Sequence, residues 1–248
     1  PKISGSTIVW HDYNVTNGNW DIFLYNLTWP PGTSPEPIIT GGDDQKNPAI
    51  FQNYVVYENL SGMSSMIYLY NISNSTSVQI STSAEDLTPA IDGSNIVWQN
   101  MSATGKKRIM LYNIKTGETS QIPPAGVASD QTNPKISGDY IVWEESRNRI
   151  PYTDIYLYNL NDGSERLLTP SSAGSKFMPA VDGDRIVWED SRAMQNNAGN
   201  NRDIYLLTLG IPETCPQADF TADYFVDPPG GLVTFTDSSS PGTAPITY

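Results

Sequence analysis

Carboxylates are the side chains of this sequence best equipped for chemistry. Asp44, Asp86 and Asp130 recur at the head of successive copies of one phrase. Two such acids about 5 to 10 Å apart would suit a glycoside hydrolase, and a ring of them would hold a weakly bound cation such as calcium. Catalytic groups usually break the symmetry of a repeat, whereas these three follow it, so each is read as a cap on neighbouring turn backbone. The one histidine, His11, directly follows Trp10 in a strand-like run. Neither a G-x-S-x-G phrase nor a Gly-rich phosphate loop accompanies it, so a histidine-activated nucleophile has no support. The expectation is a chain that is not an enzyme and carries no cofactor; the alternative is a secreted carbohydrate-active hydrolase with carboxylates in a channel.

Two aromatics do break symmetry. Trp20 stands in "NGNWD" and Trp29 in "NLTWPPGTSPEP", both among polar or proline-rich residues. Aromatics in such loops stack on sugars or anchor a partner, and these two are the candidate binding residues.

These candidates must be positioned by a repeat. "PKISGSTIVWHD" opens the chain, and "NPAIFQNYVVYEN", "TPAIDGSNIVWQN", "NPKISGDYIVWEE" and "MPAVDGDRIVWED" follow. Their prolines, Pro1, Pro48, Pro89, Pro134 and Pro179, stand 47, 41, 45 and 45 residues apart. That period belongs to propellers and arrays. After each phrase comes a second, such as "DIFLYNL" or "DIYLYNL", and in four units a short L/I-T run. Each unit thus reads as four short strands separated by Gly, Asn, Asp and Ser turns, and helix capping signals are lacking. Strands apolar at nearly every position are buried on both faces, as blade sheets are. Trp10, Trp98, Trp143 and Trp188, with Tyr57 in unit two, then fill wedges between sheets.

The fold expected is all-β: a propeller of five recognisable four-stranded blades over residues 1–210, starting near 1, 48, 89, 134 and 179. The fifth blade lacks its outer strand, so a closing strand or a further blade is expected upstream of Pro1. "DQTNP" at 130–134 followed by "ISGDYIVW", its second copy "DQKNP" at 44–48, the run from Trp188 to Arg192 and "NNRDIYL" at 200–206 carry a resemblance. They resemble the TolB-like propeller repeats of archaeal, methanogen-type cell-surface and surface-layer proteins. After a linker at 211–217, residues 218–248 resemble the first part of a PKD domain, an immunoglobulin-like β-sandwich, through "ADFTA" at 218–222 and "VTFTD" at 233–237. The resemblance implies an extracellular, cell-surface scaffold or adhesion protein, a platform for other surface proteins or glycans and a possible subunit of a self-assembling surface.

Composition agrees with that class. The net charge of −13 works against phosphate backbones, so nucleic acid is not an expected partner. One cysteine, Cys215, excludes an internal disulfide framework, and no apolar run is long enough to span a bilayer. N-x-[ST] acceptor patterns at Asn14, Asn26, Asn59, Asn71, Asn74 and Asn100 point to an exported glycoprotein.

Overall fold

The computed structural model describes residues 1–123, 129–147, 151–169, 174–191 and 202–210, together with two short strands further on. Within these residues there are strands and turns and no helix. The chain divides into two units, Pro1–Leu207 and Thr208–Tyr248.

The first unit is built of antiparallel sheets, each formed by consecutive strands. The first holds β1 (Lys2–Ser4), β2 (Thr7–Asn14), β3 (Asn19–Asn26) and β4 (Glu36–Ile39). The second holds β5 (Asp44–Phe51), β6 (Tyr54–Ser61), β7 (Ser64–Asn71) and β8 (Thr76–Gln79). Next come β9 (Asp86–Asp92), β10 (Asn95–Met101), β11 (Lys107–Asn113) and β12 (Thr119–Ile122). The fourth sheet is β13 (Gln131–Ser137), β14 (Tyr140–Glu145), β15 (Asp154–Asn159) and β16 (Glu165–Leu167). Among the described residues the fifth has three strands, β17 (Lys176–Asp182), β18 (Arg185–Asp190) and β19 (Asp203–Thr208). In the second unit, β20 (Phe220–Thr221) pairs with β21 (Thr236–Asp237). The expected linker at 211–217, and the PKD-like segment apart from those two strands, lie outside the described residues.

Alternation explains why the second strand of each sheet is apolar throughout. In β10, Ile96 and Trp98 pack with Val56, Ile67 and Leu69 of the sheet before, while Val97 joins Ile136, Ile141 and Trp143 of the sheet after. Val55 and Tyr57 likewise meet Val9, Ile22 and Leu24 of the first sheet. Successive side chains point to opposite faces, and both faces are covered by a neighbouring blade. Each fully buried isoleucine contributes about 2 kcal/mol through such burial. The outermost faces differ. Ile204 and Leu206 are 70% and 61% exposed, although Ile67 and Leu69 at the same register are buried, and Ile3 of the first sheet is 60% exposed.

The repeated proline marks a bulge in the innermost strand. Register shifts occur between Lys46 and Ala49, between Thr132 and Lys135, and between Phe177 and Ala180. Proline lacks an N–H for the ladder, so a bulge is where a strand accepts it. The preceding residue is left-handed every time: Asn47 (φ 50°), Thr88 (55°), Asn133 (53°) and Met178 (50°). A β-branched Thr or a Met there is strained.

That strain aims a backbone N–H at the previous blade. Asn47 donates to His11 Nδ1 (3.1 Å), Thr88 to Glu58 Oε1 (2.6 Å) and Met178 to Glu144 Oε1 (2.7 Å). Each acceptor directly follows the blade's Trp or Tyr. The glutamates also bind their own blade, since Asn47 Nδ2 donates to Glu58 Oε2 and Asn133 Nδ2 to Glu144 Oε1. A second set of bonds joins the first hairpins, whose turn glycines have positive φ: Gly138 N–H donates to Asp92, and Gly183 N–H to Ser137 Oγ at 3.0 Å. In the second blade Gln52 (φ 50°) takes the glycine's place and donates to Ser4 Oγ.

Glu58→Ala removes the shared acceptor of Thr88 and Asn47 and leaves a part-buried N–H without its partner. It is expected to destabilise the chain by about 3 kcal/mol in urea unfolding, and Glu58→Gln, which keeps an acceptor, by less. An unchanged urea midpoint in the alanine variant would rule out this contact as a support.

Candidate functional site

The hairpin of β2 and β3 carries an aromatic cluster. Register pairs Tyr13 with Trp20, and their rings meet edge to face at 5.8 Å. Trp20 is also met by His11 at 5.4 Å, and Lys46 Nζ lies 5.3 Å from its ring centroid. The Trp20 backbone N–H donates to Asp44 Oδ1 at 3.1 Å, and Asp44 forms an ion pair with Lys46 at 2.8 Å. Hydrogen bonds from Lys46 and the Trp20 backbone hold the Asp44 carboxyl below the usual range. Trp20 is therefore clamped, and the exposed ring is that of Tyr13, at 50%. Beyond it Val15, and in the corresponding hairpin of the second blade Met63, are almost wholly exposed. Sequence reasoning missed Tyr13. The available signal is that the third residue after the repeated Trp or Tyr is aromatic only here; its counterparts are Leu60, Met101, Ser146 and Ser191.

Trp29 takes a packing role. It meets Tyr25 edge to face at 5.5 Å and covers the first hydrophobic cluster. His11 is likewise structural, an acceptor for Asn47.

The three aspartates do not form one ring. Asp44 and Asp130 each stand four residues before the proline and accept a backbone N–H from the previous blade, from Trp20 and Lys107. Asp86 stands three residues before Pro89 and so points to the opposite face of its strand. It is fully buried, and Oδ1 accepts from Trp98 Nε1 (3.1 Å) and Asn100 Nδ2 (2.6 Å). Burial pushes its pKa up, partly offset by donors on Ser81, Asn100, Trp98 and the Ser83 backbone. Among the described residues no group of three or more His, Cys, Asp or Glu is placed to hold a metal ion.

Asp86 belongs to a different series, a buried polar pair linking the first two strands. Register couples Gln45 with Asn59, Asp86 with Asn100, Gln131 with Glu145 and Lys176 with Asp190. The indole N–H needs an acceptor when buried. Trp98 finds Asp86, Trp143 finds Glu145 at 2.9 Å and Trp188 finds Asp190 at 3.5 Å. Where Tyr57 replaces Trp, the pair is Gln45 and Asn59, without a carboxylate, and the phenol bonds Ser77. Beside two of these pairs lie clefts between successive blades. One of about 360 Å³ includes Asp43, Gln45, Tyr57 and Asn59; the other, about 240 Å³, includes Ser81, Asp86, Trp98 and Asn100.

A further group that sequence reasoning did not reach is Lys135. Burial, helped by the charge of Lys2 and opposed by Glu144, lowers its pKa to about 8.

The sequons separate by hydrogen bonding. Nδ2 of Asn14, Asn26, Asn59 and Asn100 donates to Asp21, Thr7, Asp43 and Asp86, whereas Asn71 and Asn74 use only Oδ1, for Ser73 and Thr76. The nitrogen that would carry a glycan is engaged in the first four.

No known protein family matches the chain in sequence, and no curated protein does. Solved structures match its fold. TolB from Acinetobacter baumannii is similar with a TM-score of 0.60 and 16% identity, over 82% of this chain and 50% of that one. The β-propeller domain of the Trilobed protease from Pyrococcus furiosus, described as having an open velcro topology, gives 0.60 and 14%, over 85% and 68%. An oligogalacturonate lyase in complex with manganese gives 0.54 and 13%, over 82% and 60%. The chain is thus a β-propeller with TolB-like structural neighbours, and it spans half the length of the TolB chain.

These neighbours correct one expectation. The exclusion of enzyme activity does not stand, because the same fold serves a protease and a lyase. A repeat that positions its acids symmetrically in sequence does not exclude chemistry. No helix among the described residues is long and apolar enough to cross a membrane.

Burial, followed by the terminal amino group and Lys46, holds the pKa of His11 below 6.5, against the opposing charge of Asp12. Its Nδ1 accepts from Asn47 only when that nitrogen is unprotonated. The neutral histidine's contribution is therefore complete above the unfolded value and is lost as pH falls through the lowered folded value. In urea unfolding between about pH 8 and pH 5, wild type should lose stability relative to His11→Gln, which keeps an uncharged acceptor. Parallel curves would contradict this role.

Proposed function

We propose that the chain is an extracellular cell-surface platform that holds a glycan or protein of the envelope on the hairpin face of its first two blades. The carrying observation is the half-exposed Tyr13 ring, backed by the clamped Trp20, with Val15 on the same hairpin and Met63 on the hairpin of the second blade also exposed. An aromatic ring on a rigid support presents contact area with little conformational entropy to lose. Binding needs such a fixed surface, and the strands beneath it are locked to the second blade through Asp44 and His11. The net charge of −13 and the two sequons with uncommitted amide nitrogens support an exported location. The finer reading, a surface-layer type protein of archaeal kind with a PKD-like spacer, is supported by the phrases at 130–137 and 218–237.

The test is retention of the labelled chain on a glycan array and on immobilised envelope proteins. Wild type is expected to bind one of the two surfaces, and Tyr13→Ala with Trp20→Ala to bind about tenfold or more weakly. Equal retention of the variant, or no retention of wild type on either surface, would overturn the assignment.

A further inference from the structure

The cleft between the second and third blades contains a carboxyl whose second oxygen the chain leaves without a partner. Asp86 is fully buried; its Oδ1 is bonded, but Oδ2 has no hydrogen-bond partner. Ser81 and Ser83 stand close enough to act on its charge without closing a bond to Oδ2. No described lysine or arginine pairs with it. Buried carboxylates are ordinarily paired, because an isolated charge in a low-dielectric interior is costly.

The next two blades show how the same place is satisfied. In the fourth, Glu145 accepts from Arg147 Nε (2.7 Å) and Nη2 (2.6 Å), and that guanidinium lies 4.2 Å over the Tyr156 ring and pairs with Glu165. In the fifth, Lys176 Nζ lies 3.5 Å from Asp190. Register puts Asn100, Trp98, Met110 and Thr119 of the third blade where the fourth has Glu145, Trp143, Tyr156 and Glu165. Those four residues line the 240 Å³ cleft together with Asp86. The cleft therefore occupies the place that the Arg147 side chain fills one blade later. The residue that could have filled it, four after the tryptophan, is Ser102 instead of arginine.

We propose that this cleft is a binding site for an organic cation, an ammonium or guanidinium group on a short aliphatic stem, with Asp86 as its counter-ion. Trp98, Met110 and Ile80 would cover the stem while the head approaches the Asp86 carboxyl, whose Oδ2 becomes reachable as the lining side chains shift. A divalent metal is disfavoured by the same lining, which supplies a single carboxylate beside the neutral side chains of Ser81, Thr82, Ser83, Asn100 and Thr119, too little negative charge for calcium. The site goes beyond the hairpin-face reading and does not depend on it, since Tyr13 and Trp20 do not line the cleft.

The experiment titrates the 248-residue chain with n-butylguanidinium chloride by calorimetry at low ionic strength, with calcium chloride as competitor. Saturable binding is expected in wild type, about tenfold or more weaker in Asp86→Asn. It should be absent in Ser102→Arg, where an internal guanidinium takes the place of Arg147. Circular dichroism checks the fold of each variant, and Ser102→Arg keeps the test decisive should Asp86→Asn fail to fold. Absence of binding in wild type, binding unchanged by Ser102→Arg, or displacement of the probe by equimolar calcium would overturn the proposal.

Discussion

The hydrogen bond from a left-handed backbone N–H in one blade to the side chain after the aromatic of the blade before is the contact that locks three of the four described blade junctions. It fixes three things together. The bulge that presents the N–H admits the repeated proline, the acceptor is placed by the adjacent buried aromatic, and the two sheets are held at the spacing their apolar faces require. Apolar burial alone is non-directional and would tolerate sliding of one blade over the next. The bonds at Glu58 and Glu144 remove that freedom, because each glutamate is bound to both blades at once. The strain of Thr88 and Met178 persists because this contact offsets it.

Behind the aromatic runs a second constraint, the buried polar pair that receives the indole N–H. Its members change from blade to blade, from Gln45 and Asn59 to Lys176 and Asp190, yet all four sites remain polar. Such a pair can hold a net charge only where something neutralises it. Arg147 does so in the fourth blade and Lys176 in the fifth, and the contrast with Asp86 gives the third blade its distinct chemistry.

Much of this architecture was legible in the sequence. The prolines marked the inner strands, the apolar runs indicated sheets covered on both faces, and the Gly, Asn, Asp and Ser residues marked the turns. What escaped reading was anything set by a shift of one residue. Asp86 looked like a third copy of Asp44 and Asp130, but it is one place nearer its proline, and in a strand one place means the opposite face. Tyr13 was hidden because an aromatic in a strand reads as packing, and only the structure shows that half of its ring surface stands outside. The partner of His11 was out of reach for a different reason: the Asn47 N–H lies 36 residues away and faces it only because of the bulge.

A hairpin face backed by locked strands and the cleft beside Asp86 both require neighbouring blades to move as one body. Amide hydrogen exchange at Asn47, Thr88 and Met178 measures that directly. Their N–H groups bond across blades, whereas the described bonds include none from Asn133 N–H to Gln99, its counterpart acceptor. Protection of Thr88 and Met178 close to that of the core strands, with faster exchange at Asn133, is the result this account requires. Exchange at Thr88 and Met178 as fast as in the exposed hairpin tips would show that the blades are not held by this contact.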